Sequence, residues 1–195
     1  TRPAPEGAPV IDVAEQRFER ILSDLIAVEG GYVNDAADRG GETRWGITAA
    51  NARAHGYTGP MATLPQTTAR AIYRATYVDA PRFGEVVLID PDLGAKLVDI
   101  GVNMGPAVAA TFLQRWLNAF NDTGTHYAAL VVDGQLGVKT LDALRAFLRW
   151  RGPMGATALL KGINSSQGTR YLDIAEGNHS QRRFVFGWII QRMGR

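Results

Sequence analysis

Apolar residues recur at helical spacing through most of this chain. Phe18, Ile21, Leu22, Leu25 and Ile26 share one helix face. An Asp12-x-x-Glu15 capping box opens that helix and Gly30-Gly31 ends it. Thr48 caps a short helix reaching His55 and closed by Gly56, and Thr63-x-x-Gln66 repeats a capping box before Ala69, Ile72, Tyr73 and Thr76. Leu93, Leu97 and Ile100 mark a fourth helix. Ala109, Phe112, Leu113, Trp116, Leu117 and Phe120 form the clearest stripe, behind a Pro106 suited to a first helical turn. Val138, Leu141, Leu144 and Leu148 resume the period, and further helices are predicted over 156–163, 171–176 and 182–193.

Three stretches depart from the pattern. Residues 1–10 hold Pro3, Pro5 and Pro9 and read as a flexible tail. Residues 32–48 are rich in Gly, Asn and Asp, and Asp38-Arg39-Gly40-Gly41 supplies turn chemistry, so an irregular hairpin or small sheet is expected there. Leu130-Val131-Val132 reads as a short strand before an Asp133-Gly134 turn. The fold class is therefore mainly α with a small early β element.

With 195 residues, 46% of them hydrophobic and 21% charged, the composition is that of a globular protein. No apolar run approaches the ~18–20 residues of a membrane span. The chain starts at Thr1, and a signal or anchor segment upstream stays open. The absence of cysteine excludes disulfides and thiolate metal sites and suits an exported protein as well as a cytosolic one. Net charge is only +2, and the arginines that supply most of the basic residues are scattered. That argues against nucleic acid as partner and is compatible with a polyanionic envelope polymer.

Glu29 changes the picture. It follows Phe18, Leu22 and Leu25 at steps of four, three and four, on the core-facing stripe and in the last turn of its helix. Partial burial and the negative end of the helix dipole both raise a carboxyl pKa. A carboxylic acid protonated near neutral pH is what donation to a leaving oxygen requires. Asp35 and Asp38 lie in the polar loop that follows, where a carboxylate stays ionised, and Thr43 and Thr48 can orient a water. Each feature alone has an ordinary reading: a solvated glutamate, a helix-stop glycine pair, turn aspartates.

Taken jointly, Glu29-Gly30-Gly31-Tyr32, Asn34-Asp35 and Asp38-x-Gly40-Gly41-x-Thr43-x-x-Gly46-Ile47-Thr48 resemble the signature of glycoside hydrolase family 108, a group of bacterial and phage N-acetylmuramidases. The likeness extends through Asp99-x-x-Val102-Asn103-x-Gly105, Leu113-Gln114, Val132-Asp133-Gly134-x-x-Gly137-x-x-Thr140, Tyr171 and Phe184-x-x-Gly187-Trp188-x-x-Arg192. It implies a lysozyme-like helical fold whose hairpin forms one wall of the cleft. It also implies a catalytic region at 12–105 behind a tail at 1–11, and a peptidoglycan-associated region at 106–195 packed into the same globule. Glu29 becomes the catalytic acid, with Asp38 and Thr43 positioning the attacking water. Tyr32, Trp45, Thr48 and Asn103 become substrate contacts. Ala36 and Arg39 stand where relatives often carry Pro, and Val78 where a Trp is common.

The partner so implied is the glycan strand of peptidoglycan, cut between N-acetylmuramic acid and N-acetylglucosamine, by inversion if the two carboxyls lie more than about 6.5 Å apart. A monomer acting in the periplasm or wall is expected, needing no cofactor and, with His55, His126 and His179 scattered as surface or cap residues, no metal. Trp116, Trp150 and Trp188 fall on helical stripes and are expected in the core. A lytic transglycosylase and a catalytically silent peptidoglycan-binding domain remain as alternatives.

Overall fold

A computed structural model of the chain describes residues 16, 18–23, 26, 32 and 41–193. The expected tail, the Asp12/Glu15 box, the Gly30-Gly31 stop and residues Glu29, Asp35 and Asp38 lie outside the described residues. The chain is mostly helical with one small two-stranded antiparallel hairpin early on, as its pattern predicts. It divides into two compact units, Thr1–Ile72 and Tyr73–Arg195.

In the first unit, residues 16, 18–23 and 26 are helical (α1), and Phe18, Leu22 and Ile26 are buried as their spacing requires. Strands β1 (Thr43–Arg44) and β2 (Ile47–Thr48) form the hairpin and lead into α2 (Ala49–Ala54). The Thr48 hydroxyl accepts from the Asn51 amide at 3.2 Å, the expected cap, and Gly56 takes the left-handed φ of 83° that ends the turn. A 3-10 turn at Met61–Thr63 precedes α3 (Gln66–Tyr73). The expected Thr63/Gln66 capping box does not form. Pro65 disfavours the helical region for the residue before it, and Leu64 is held at φ −53°, ψ 118°. The helix therefore begins only after Pro65, and Thr63 donates its hydroxyl to the Pro60 carbonyl at 3.1 Å instead. From α3, Arg70 bonds Glu19 and Ser23 of α1, each at 2.8 Å.

In the second unit a π-helical turn, Arg74–Asp79, is followed by α4 (Phe83–Ile89), α5 (Pro91–Met104), α6 (Pro106–Ala119), α7 (Val138–Gly177) and α8 (Arg182–Arg192). Helix α5 packs against α4, α6 and α7, and α8 against α7. Leu93, Leu97, Ile100, Leu113, Leu117, Leu144, Phe147 and Leu159 are buried in its core. Val78 is fully buried too. None of the helices among the described residues is long and apolar enough to cross a membrane.

Helix α4 has no counterpart in the periodic reading. Only Asp90 separates it from α5, and the Asp90 carboxylate caps α5 by accepting from Asp92 and Leu93 amides at 3.1 and 2.9 Å. Such a tight reversal brings backbones together, and a Cβ on Gly94 would lie 2.5 Å from the Val87 backbone.

Three further expectations are corrected. Leu130-Val131-Val132 is not a strand: the Asn118 side-chain amide bonds both the Leu130 N–H and carbonyl at 2.8 Å, taking the place of a strand partner, and Val131 is left 77% exposed. The separate helices expected at 156–163 and 171–176 are continuous. The chain does break where the pattern lapses between 148 and 156, at Gly152 (φ 58°, ψ −151°) before Pro153. Trp116, Trp150 and Trp188 are only half-buried. Trp150 is stacked by His126, with ring centroids 3.4 Å apart, and covered by the Arg151 guanidinium.

Substituting Gly94→Ala forces α4 and α5 apart. Unfolding free energy should fall by about 3 kcal/mol, the upper range for an overpacked core, as measured by urea denaturation.

Candidate active site

Tyr32, Thr43, Trp45 and Thr48 belong to the first unit and meet at the hairpin. Thr43 is paired with Thr48 and Arg44 with Ile47. Opposed residues of an antiparallel pair share a face, so the two threonine side chains stand together. The connection is a two-residue turn in which Trp45 and Gly46 have φ of 54° and 72°. Positive φ at both central positions is the type I′ turn, whose twist matches the strands. Gly46 adopts it freely, whereas Trp45 does so at a cost.

Side-chain contacts hold Trp45 in that conformation. Its indole N–H donates to the Leu64 carbonyl at 3.0 Å, and the Arg44 guanidinium lies 5.2 Å over its ring. Arg44 in turn donates to the Ala62 carbonyl. Both residues thus anchor the hairpin on the 61–64 segment, which leaves Trp45 half-buried.

The threonine hydroxyls have opposite remaining capacities. Thr43 donates to the Gly41 carbonyl at 3.3 Å and keeps lone pairs able to accept a hydrogen from water. Thr48 accepts from Asn51 and keeps its hydrogen to donate. Tyr32, 40% exposed, donates its hydroxyl to Glu42 at 3.1 Å. Glu42 escapes the sequence reading. It occupies an unspecified position of the motif, and only the return of the chain ten residues on brings it against Tyr32. Its backbone carbonyl accepts from Ala49 at 2.8 Å, so it also ties the hairpin to α2.

Asn103 lies in the second unit, where its side-chain oxygen accepts the Tyr171 hydroxyl at 2.9 Å. Other motif residues there also bind one another. Arg192 donates to Asp99 at 2.8 Å, while buried Lys96 donates to the Arg192 carbonyl at 2.6 Å and stands 3.8 Å from Asp99. Burial pushes the Lys96 ammonium below its usual pKa, and the Asp99 carboxylate partly offsets that. Gln114 donates to Asp133 at 2.8 Å and the Gln135 carbonyl at 3.0 Å, and accepts from the Gly134 amide at 3.0 Å. The Gln114 and Gln135 hydrogen bonds hold the Asp133 carboxyl below its usual pKa.

Residues 22–105 match the family model described as Glycosyl hydrolase 108. The chain therefore carries a glycosyl hydrolase 108 region. Residues 108–193 match the model described as Predicted Peptidoglycan domain. Among solved structures, SagA of Brucella abortus is similar over 91% of this chain and 90% of its own, with a TM-score of 0.63. At 24% identity that likeness speaks for the fold. No curated protein matches. The two matched regions together make the chain a glycoside hydrolase that acts on peptidoglycan, and hence on the cell wall.

Trp45→Phe keeps an aromatic ring but strands the Leu64 carbonyl, and should lower unfolding free energy by about 1 kcal/mol in chemical denaturation. Asp99→Ala leaves the Lys96 ammonium buried without its anion. A loss of roughly 3 kcal/mol is expected, at the lower end for a buried pair because Asp99 is 25% exposed, and a thermal melt measures it.

Proposed function

We propose that this protein is an N-acetylmuramidase, hydrolysing the β-1,4 bond between N-acetylmuramic acid and N-acetylglucosamine. Glu29 is the general acid that protonates the glycosidic oxygen. Burial of Phe18, Leu22 and Ile26 supports the helical register from which its place on the core-facing stripe is read. Asp38 acts as the ionised partner, drawing a proton from the attacking water. The Thr43 hydroxyl, already donating to Gly41, offers that water an acceptor. Attack from the face opposite the leaving group inverts the anomeric centre if the carboxyls stand about 6.5 Å or more apart.

Tyr32, Trp45 and Thr48 contact the sugars in this reading, Thr48 through its remaining hydrogen and Trp45 through its half-buried ring. Asn103 retains the Nδ2 hydrogens that an N-acetyl carbonyl can accept. The hairpin forms one wall of the cleft. Residues 12–105 carry the chemistry and 106–195 the peptidoglycan-associated part. The protein works as a monomer, without a cofactor, after export or holin-dependent release. The observation that carries the proposal is the family match over 22–105, which spans Glu29, Asp38 and Thr43.

Product analysis on purified sacculi tests it. Wild-type protein should release muropeptides with N-acetylmuramic acid at a free reducing end. Glu29→Gln should release none while keeping the wild-type unfolding midpoint. Products ending in 1,6-anhydro-muramic acid would assign a lytic transglycosylase, and N-acetylglucosamine at the reducing end a different bond. Binding to sacculi without any release would leave a silent binding domain.

A further inference from the structure

Within the second unit, α6 and α7 leave a groove of about 510 Å³ between them. Residues 107, 108, 111, 112, 115 and 116 line it from α6, and 165, 166, 169, 170 and 173 from α7. Steps of three and four make each set a single helix face. The Asp133-Gly134 turn, pinned by Gln114, adds a further part of the lining.

Charge is distributed unusually along this groove. Arg115, Arg170 and Asp173 are exposed and, among the described residues, make no hydrogen bond or ion pair. Arg170 and Asp173 stand three residues apart on one helix without pairing, although Asp142 and Arg145 at the same spacing pair at 3.1 Å. The groove thus presents two free guanidiniums and one free carboxylate beside the apolar Ala107, Val108 and Phe112.

Its tryptophan is spoken for. A Cβ at Gly162 would lie 2.5 Å from Trp116, so the indole rests on the backbone of α7 at a position only glycine allows. The Trp116 N–H donates to Ser166 at 2.9 Å, and Phe120 packs on the ring at 5.3 Å between centroids. A sugar site needs an aromatic face free to stack and planar polar groups for hydroxyls. This groove instead supplies unpaired charges of both signs and apolar side chains.

We propose that the α6/α7 groove binds the stem peptide of peptidoglycan rather than its glycan. That peptide carries several carboxylates, alanine methyl groups and, on its diamino acid, a free amine. Arg115 and Arg170 take the carboxylates by charge-assisted hydrogen bonds, Asp173 takes the amine, and Ala107, Val108 and Phe112 pack on the methyls. The inference rests on peptidoglycan being the polymer this chain meets, and it identifies which part of that polymer the C-terminal region reads.

Calorimetric titration of the full chain with a sugar-free tetrapeptide, L-Ala–γ-D-Glu–meso-diaminopimelate–D-Ala, tests the assignment. Wild-type protein should bind it saturably, with affinity falling as salt rises. Arg115→Ala with Arg170→Ala should weaken it by about tenfold or more. Asp173→Asn should weaken the free peptide, but not one whose amine is acetylated. All three residues are exposed, and circular dichroism checks that each variant is folded. Absence of saturable binding, equal affinity in the arginine variant, or loss of chito-oligosaccharide rather than peptide binding would overturn the proposal. Hydrolysis of peptide-stripped glycan by the same variants reports on the muramidase reading separately. Retained hydrolysis without peptide binding sinks only the groove, whereas peptide binding without hydrolysis sinks only the muramidase.

Discussion

Gln114 is almost completely shut off from water, so its amide hydrogens and oxygen must find partners inside the chain or cost the desolvation of each group. Its partners come from the segment that leads into α7, namely the Asp133 carboxylate, the Gly134 amide and the Gln135 carbonyl, and from the Thr140 hydroxyl in the first turn of α7. That one obligation pins the turn before α7 against α6. Gly134, at φ 72°, brings its backbone so near that a Cβ would stand 3.0 Å from the Ala107 carbonyl. The α6/α7 groove has part of its lining from this turn, so the shape of the groove depends on a side chain outside it.

A similar logic joins residues far apart in the chain. Asp99 and Asn103 sit one helical turn apart on α5 and reach, respectively, Arg192 of α8 and Tyr171 of α7. Tyr171 also stacks on Trp188, with centroids 5.1 Å apart. Helix α8 exposes Phe186 and Ile190, so apolar burial alone holds it weakly. Its position is specified by the Asp99–Arg192 pair and the Lys96 bond to the last turn. Removing one member of such a pair strands the other's charge in the interior, so the two helices are held to this arrangement.

Helices were the most readable part of this chain, because burial of one face imposes a period that survives in the residue order. Pro106 and Asp133-Gly134 were readable for a related reason: each acts through its own backbone. What could not be read depended on distant partners. Nothing in Leu130-Val131-Val132 announces that Asn118 will satisfy its backbone. Thr63-x-x-Gln66 has the letters of a capping box, yet Pro65 between them decides where the helix starts. Helix α4 was hidden because it is short and joined to α5 through one residue. The hairpin was placed in the right segment, but its tight turn falls at Trp45-Gly46, where a tryptophan in left-handed backbone is no turn signal. Glu42 was unmarked for the same reason as Asn118: its role appears only when the chain comes back on itself.

The family motif therefore contains two kinds of residue that look alike in one dimension. Asp99, Gln114, Asp133 and Arg192 are polar residues at fixed spacing, the usual mark of chemistry. Each has its principal charges or amide groups engaged by another part of the same unit, and such groups have little left to offer a reacting molecule. Thr43 differs. Among the described residues its hydroxyl bonds only a carbonyl two residues away and keeps its lone pairs. Asn103 lies between the two kinds, since Tyr171 takes its oxygen and leaves its nitrogen free. Arg115, Arg170 and Asp173 belong to no part of the motif quoted for the family, yet they alone among these carry wholly unspent charge. Unspent hydrogen-bonding capacity, more than position in a motif, separates groups that build the fold from groups available to a ligand.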